Sequence, residues 1–303
     1  MEIRKYGGYT FGIPPHDYLH QITFGEFTMP STKPHIQRLC FIFDFDLTLA
    51  TDSWDAICAE LGLTREEWEE RFHTCLGDHW DPAQKKARGL LDAARATDTP
   101  LTSDVFQAAA DRIELYPGVL DMPDRIRAEV ARVNTEIDCE FVILSAGFIE
   151  LIETTSVTSV FDHTYAGAFH YENGRAVSVK RTITHAEKAL YLRAHAEGLS
   201  VAESNSPGTS APIVDDHAYH VPFDQITYVG DGASDLQAFG YLGSVGGLTI
   251  GIEDGKQFDA APKQSASQRV DTLAAADYRE DQPLMRSLRH AARAGASRVA
   301  LRC

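Results

Sequence analysis

The sequence predicts an α/β fold, a parallel sheet with a block of helices inserted after its first strand. Three observations lead there. Apolar runs at 39–43, in "CEFVILSAGF" and in "QITYVG" alternate with segments of helical period, the order of a parallel sheet. Each of these runs ends in polar residues: Asp44, Asp46 and Thr48; Ser145 and Gly147; Asp231 and Asp235. Between the first two runs, residues 51–135 carry helical patterning and no strand signal.

Taken in order, residues 1–37 are rich in Gly, Pro and aromatics without a sustained period, and read as an irregular arm. The strand "RLCFIF" opens an α/β core expected at 38–50 and 136–303, with a helical cap at 51–135. In the cap, Asp52 or Ser53 is placed to N-cap a helix over "SWDAICAELG", and Gly62 to end it. Thr64 and Glu67 have capping-box spacing, and Pro82 falls in the first turn of "DPAQKKARGLLDAARA". "TSDVFQAAADRI" and "YPGVLDMPDRIRAEVARVN" are further helices. After "CEFVILSAGF" comes a helix from about Ile149, then a β-hairpin with Asn173-Gly174 as its turn. The helix "THAEKALYLRAHAEG" leads into a Ser/Pro/Gly-rich loop at about 197–222. "QITYVGDGASDLQAFGYLG" is strand, turn and helix, "LTIGI" a short strand, and the C-terminal segment a helix with a basic face.

The formal net charge of −16 argues against broad binding to nucleic acid or an anionic membrane, since both need a positive field. Five scattered cysteines without a C-x-x-C pair read as the free thiols of a cytoplasmic protein. No segment reaches the roughly 18 apolar residues of a transmembrane helix. Of the twelve histidines, no pair shows convincing ligand spacing with cysteine, and His217 and His220 read as solvated loop residues. Trp54 and Trp68 fit apolar faces. Trp80, in a loop, is either exposed or at the entrance to a site.

In parallel sheets, sites form beyond the carboxyl ends of the strands. Carboxylates crowded there persist if a cation neutralises them or if one keeps a proton. Asp44, Asp46 and Asp231 offer oxygens for a hard cation such as Mg²⁺. A carboxylate can also attack phosphorus while a second moves protons. Hydroxyls of Thr48 and Ser145 and glycine-bearing turns suit phosphate oxygens, and a lysine would offset their charge. Singly, each element has a structural reading: D-x-D as a turn or cap, "SAG" as an N-cap, "GDGASD" as a tight turn, Lys188 as a solvated helix lysine. It is their order that carries the chemistry.

In that order, "DFDLT", "ILSAG", Lys188 and "GDGASD", the chain resembles the haloacid dehalogenase-like (HAD) superfamily of Mg²⁺-dependent phosphohydrolases. The resemblance spans about Leu39 to Gly251 and implies a Rossmann-like core with an inserted α-helical cap. It implies Asp44 as nucleophile and Asp46 as general acid/base. Thr48, Ser145, Ala146, Gly147 and Lys188 would meet the phosphoryl group. Mg²⁺ would be held by Asp44, the Asp46 carbonyl oxygen and Asp231, with Asp235 acting directly or through water. The helical insert, "LYPGV", "SAGF" and the hairpin at "ENGR" resemble the phosphoserine phosphatase-like branch. Ser234 stands where that branch commonly has Asn, which weakens phosphoserine as substrate. Asp46 speaks against dehalogenation. The expected activity is hydrolysis of a small phosphomonoester through an aspartyl-phosphate. A phosphotransferase, or a non-catalytic binder of a phosphorylated ligand, stays open at this point. Substrate and oligomeric state are not legible.

Overall fold

A computed structural model of the chain describes residues 35–199, 219–232, 234–253 and 270–302. The expected arm at 1–37 lies outside these residues apart from its last three, as does most of the loop expected at 197–222.

The sheet is seven-stranded in the order β4-β3-β2-β1-β5-β6-β7. Its strands are β1 (Arg38–Phe43), β2 (Asp138–Phe148), β3 (His163–Glu172), β4 (Arg175–Arg181), β5 (Ile226–Gly230), β6 (Leu248–Ile252) and β7 (Thr272–Ala274). All neighbours pair in parallel except β3 and β4, which form the expected hairpin. Its turn residues Asn173 and Gly174 both take positive φ, at 50° and 75°, as the tightest hairpin turns require. Phe43 lies opposite Ile143 on one side and Val229 on the other. That register brings Asp44, Ser145 and Asp231 out at one edge of the sheet.

Alternate residues of β1 are buried on opposite faces, so the strand is continuously apolar. Leu39, Phe41 and Phe43 pack with α5 (Met122–Ala131) and α9 (Pro283–Ala300). Cys40 and Ile42 pack with α7 (Glu187–Ala196) and α8 (Leu236–Ser244). The cap helices are α1 (Ser53–Glu60), α2 (Arg65–Trp68), α3 (Pro82–Ala96) and α4 (Ser103–Ala110). Their own cluster is centred on Trp54 and Trp68, whose rings meet edge to face at 4.6 Å. It seats on the sheet through Phe148, Leu151 of α6 (Ile149–Ile152) and Phe169. The Thr64 capping box forms as expected, but the helix it starts widens into a π-helical turn over Glu69–His73.

Packing divides the chain differently from the expected boundary at 135. Val119, Met122, Ile126 and Val130 are buried with Phe41 and Phe141, so α5 is part of the sheet's cluster and not of the cap's. The basic face of α9 is also less free than its sequence suggests. Arg293 bonds the buried Glu129, Arg289 bonds Glu280, and Arg302 bonds Asp224. His220, expected to be solvated, is held between Arg38 and Glu140; His217 lies outside the described residues.

Candidate active site

Asp44 follows the last residue of β1, and its N–H continues the ladder to the Val229 carbonyl at 2.9 Å. Its two carboxylate oxygens have different company. Oδ1 accepts from the Phe45 N–H at 2.8 Å; Oδ2 faces the Lys188 ammonium at 3.0 Å and accepts from the Ser234 hydroxyl at 3.4 Å. The Phe45 ring is fully buried in the core. Its carbonyl accepts from the N–H groups of Leu49 and Ala50 at 2.9 and 3.2 Å, closing a tight turn. Leu47 takes φ 57° in that turn, a left-handed conformation uncommon outside glycine.

Asp46 is held apart from this pair. Its Oδ1 accepts from the Ser53 N–H at 2.8 Å, at the start of α1. The cap's first helix thus fixes the second acid while the sheet fixes the first. Ser145, Ala146 and Gly147 lie in an irregular stretch of β2, where pairing with β3 shifts register between Leu144 and Phe148. Such bulges re-aim side chains. Here the Gly147 N–H donates to Ser145 Oγ at 2.9 Å. A Cβ on Gly147 would come to 3.4 Å from Asp46 Oδ2.

Behind Asp44 stands a fully buried ion cluster. Lys188 Nζ lies 2.6 Å from Asp235 Oδ1, which also accepts from the Tyr228 hydroxyl at 2.7 Å. Gly230 leaves no room for a side chain, because a Cβ there would collide with the Asp235 carboxylate. Burial pushes the Asp44 carboxyl up to about 7; Lys188 opposes the rise, and Asp235 adds to it. Burial, then repulsion from Asp44 and Asp235, pushes Asp231 up to about 8. Burial also raises Asp46, against the Ser53 hydrogen bond. For Lys188, burial favours loss of the proton, but Asp235 and Asp44 win and hold its pKa above the ordinary lysine value.

These groups border a cavity of about 280 Å³ between sheet edge and cap. Asp44, Asp46, Ser145, Ala146, Gly147 and Asp231 all reach its wall. Lys188 and Asp235 sit behind it, fully buried. Thr48, expected to face a phosphoryl group, is also buried, and its hydroxyl has no hydrogen-bond partner among the described residues. The turn brings Leu47 to the wall instead. Trp80 is exposed and borders a different groove, between α3 and β4. The cap supplies Lys86, which pattern reading passed over. Lys86 lies over the Trp54 ring at 5.3 Å to its centre, and both border the cavity with His185. Arg65 also borders it but is tied to Asp52 at 2.7 Å. Only the seating of α3 over α1 reveals the place of Lys86.

Asp44, Asp231 and Asp235 can each offer an oxygen within 4.8 Å of the others'. An all-carboxylate set, in which Asp44 and Asp231 are pushed toward protonation by burial and then by the charge of neighbouring aspartates, suits a hard divalent cation.

The family model of the haloacid dehalogenase-like hydrolases matches residues 41–240. The chain belongs to that family. Its HAD fold is also found in solved structures. A HAD family hydrolase from Salmonella enterica subsp. enterica serovar Typhi superposes with a TM-score of 0.54 at 16% identity, over 82% of this chain and 70% of that one. A probable phosphoserine phosphatase from Vibrio cholerae gives 0.53 at 15% identity, over 88% and 69%. A substrate-bound phosphoserine phosphatase gives 0.51 at 18% identity, over 84% and 98%. At such identities the likeness concerns the HAD fold. No curated protein matches the chain.

Proposed function

We propose that the chain is a Mg²⁺-dependent phosphatase that hydrolyses a small phosphomonoester through an aspartyl-phosphate on Asp44. The observation that carries this reading is the separate seating of two acids on one cavity. Asp44 is paired with Lys188 at 3.0 Å, while Asp46 is held by the Ser53 N–H at 2.8 Å.

Asp44, in its carboxylate form, attacks phosphorus as the bond to the ester oxygen breaks. Asp46, whose raised pKa lets it keep a proton, delivers that proton to the leaving oxygen. As a carboxylate it then takes a proton from water, whose oxygen attacks phosphorus and frees Asp44. Ser145 and the Ala146–Gly147 backbone receive the phosphoryl oxygens. Lys188 offsets their charge from behind Asp44, and Thr48 supports the turn from behind the wall. Asp44, Asp231 and the Asp46 carbonyl, with Asp235 directly or through water, would hold Mg²⁺, which neutralises charge at the phosphoryl group when bound. The cap closes a water-poor space around a small substrate.

The test is a panel of phosphorylated metabolites with free phosphate measured at fixed Mg²⁺. At least one should turn over without an added acceptor, and Asp44→Asn should abolish turnover while the far-ultraviolet circular dichroism stays unchanged. Full activity in that variant would overturn the reading.

A further inference from the structure

At the opposite end of the strands from Asp44, a second cluster of metal-ligating side chains is buried. Cys40 and Glu140 face each other across the β1–β2 register, and His195, in the last turn of α7, closes over them. All three are buried, and each can bring one ligand atom within 4.8 Å of the other two. Cys40 Sγ lies 3.5 Å from His195 Nε2, and Glu140 Oε2 lies 3.1 Å from the same nitrogen.

We propose that Cys40 Sγ, Glu140 Oε2 and His195 Nε2 form a site for a zinc-class transition-metal ion, distinct from the carboxylate cluster at Asp44. Thiolate, imidazole and carboxylate together select borderline-soft ions such as Zn²⁺ over Mg²⁺. Tetrahedral Zn²⁺, with bonds of about 2.0–2.1 Å to N or O and about 2.3 Å to S, spaces S and N ligands about 3.6 Å apart and N and O ligands about 3.3 Å. Both observed separations lie within a few tenths of an ångström of these values.

The surroundings suit a ligand set. His195 Nδ1 lies 3.0 Å from the Tyr165 hydroxyl, so Nδ1 can keep its proton and donate it while Nε2 binds the ion. Metal-bound histidines are oriented in this way. His220 Nδ1 lies 2.6 Å from Arg38 Nη1, and a guanidinium only donates. Nε2 lies 3.2 Å from the same Arg38 nitrogen and 3.0 Å from Glu140 Oε2; with its proton on Nε2, His220 donates to that oxygen and orients the carboxylate. His163 Nε2 meets the other oxygen, Oε1, at 3.0 Å. The His163 side chain is 40% exposed, so the hydrogen-bonded shell around Glu140 reaches the surface. Binding releases the Cys40 thiol proton to solvent, as thiolate ligation requires.

The same separations also suit a closed hydrogen-bond network without an ion, and the experiment must separate the two. The full chain, stripped by chelator and kept in excess Mg²⁺ to fill any carboxylate-only site, is titrated with Co²⁺. One equivalent should produce the charge-transfer absorption of a cobalt–thiolate bond, and Zn²⁺ should abolish it. Cys40→Ser should remove the band, and Tyr165→Phe should weaken Zn²⁺ binding about 10- to 100-fold. Absence of the band in the wild-type chain at saturating Co²⁺ would overturn the site and leave the hydrogen-bond network. So would a band that persists in Cys40→Ser, since it would belong to another cysteine. If Cys40→Ser fails to fold, the wild-type band and the Tyr165→Phe shift decide.

Discussion

Replacing Lys188 by Met tests the buried cluster that positions Asp44. Methionine fills the volume of the lysine stem, so the change removes the ammonium with little lost packing. In the wild-type chain that ammonium is fully buried, 3.0 Å from Asp44 and 2.6 Å from Asp235. Removing one partner of a buried ion pair typically costs about 3–5 kcal/mol, because the remaining charge is uncompensated. The upper end is expected here, since three carboxylates would then share the space with no cation. Urea unfolding without divalent ions should show the loss as a lower midpoint with an unchanged slope. The loss should shrink at acid pH, where the carboxyls take up protons and need no partner. Asp235→Asn removes the nearer charge, so the double variant should be more stable than the sum of the single effects by about 0.5–3 kcal/mol. Additive single effects, or a cost under about 1 kcal/mol at pH 8 against the expected 3–5, would refute an energetically coupled cluster.

Other outcomes follow from the same geometry. Gly230→Ala should cost about 1–3 kcal/mol by overpacking and lower kcat more than it raises KM, because the collision displaces Asp235 behind the reacting carboxylate; unfolding curves and steady-state kinetics check it. In the ion-free chain, Asp44 and Asp231 titrate near 7 and 8, above the ordinary aspartate value of 3.8. The folded state then holds protons that the unfolded chain has lost, so this contribution is full below 3.8 and fades as pH rises through 7 and 8. Mg²⁺ at a hundred times its Kd should restore about 2.7 kcal/mol and flatten that slope in thermal melts at pH 5 to 9. A stability profile unaffected by Mg²⁺ would count against the carboxylate site.

The part of the site that depends on strand ends was legible in the sequence. An apolar run ending in two acids fixes where a buried strand stops, and parallel register does the rest for Asp44, Ser145 and Asp231. Local signals were equally readable. Asn173-Gly174 dictates its turn, and Thr64 with Glu67 its cap. What escaped was decided by contacts between distant segments. Helix α5 has the same amphipathic pattern as the cap helices, so only its packing against β2 and α9 assigns it to the sheet. Strand β7 is three residues at an edge, too short for a period to register. Thr48 reads as a site hydroxyl, yet the left-handed Leu47 turn leaves it inside. His195 and His220 have no useful spacing along the chain; a strand pair and the end of α7 bring them to Glu140.

The most direct test of the proposed chemistry is to trap the covalent species. The protein is mixed with a substrate from the panel and Mg²⁺, quenched in acid and reduced with borohydride, which converts an acyl-phosphate on aspartate to homoserine. The expected result is homoserine at position 44 in the peptide spanning β1, appearing and disappearing more slowly in Asp46→Asn, where departure of the leaving group and hydrolysis of the intermediate are both slowed. Rapid Mg²⁺-dependent phosphate release with position 44 unmodified in both proteins would contradict attack by Asp44.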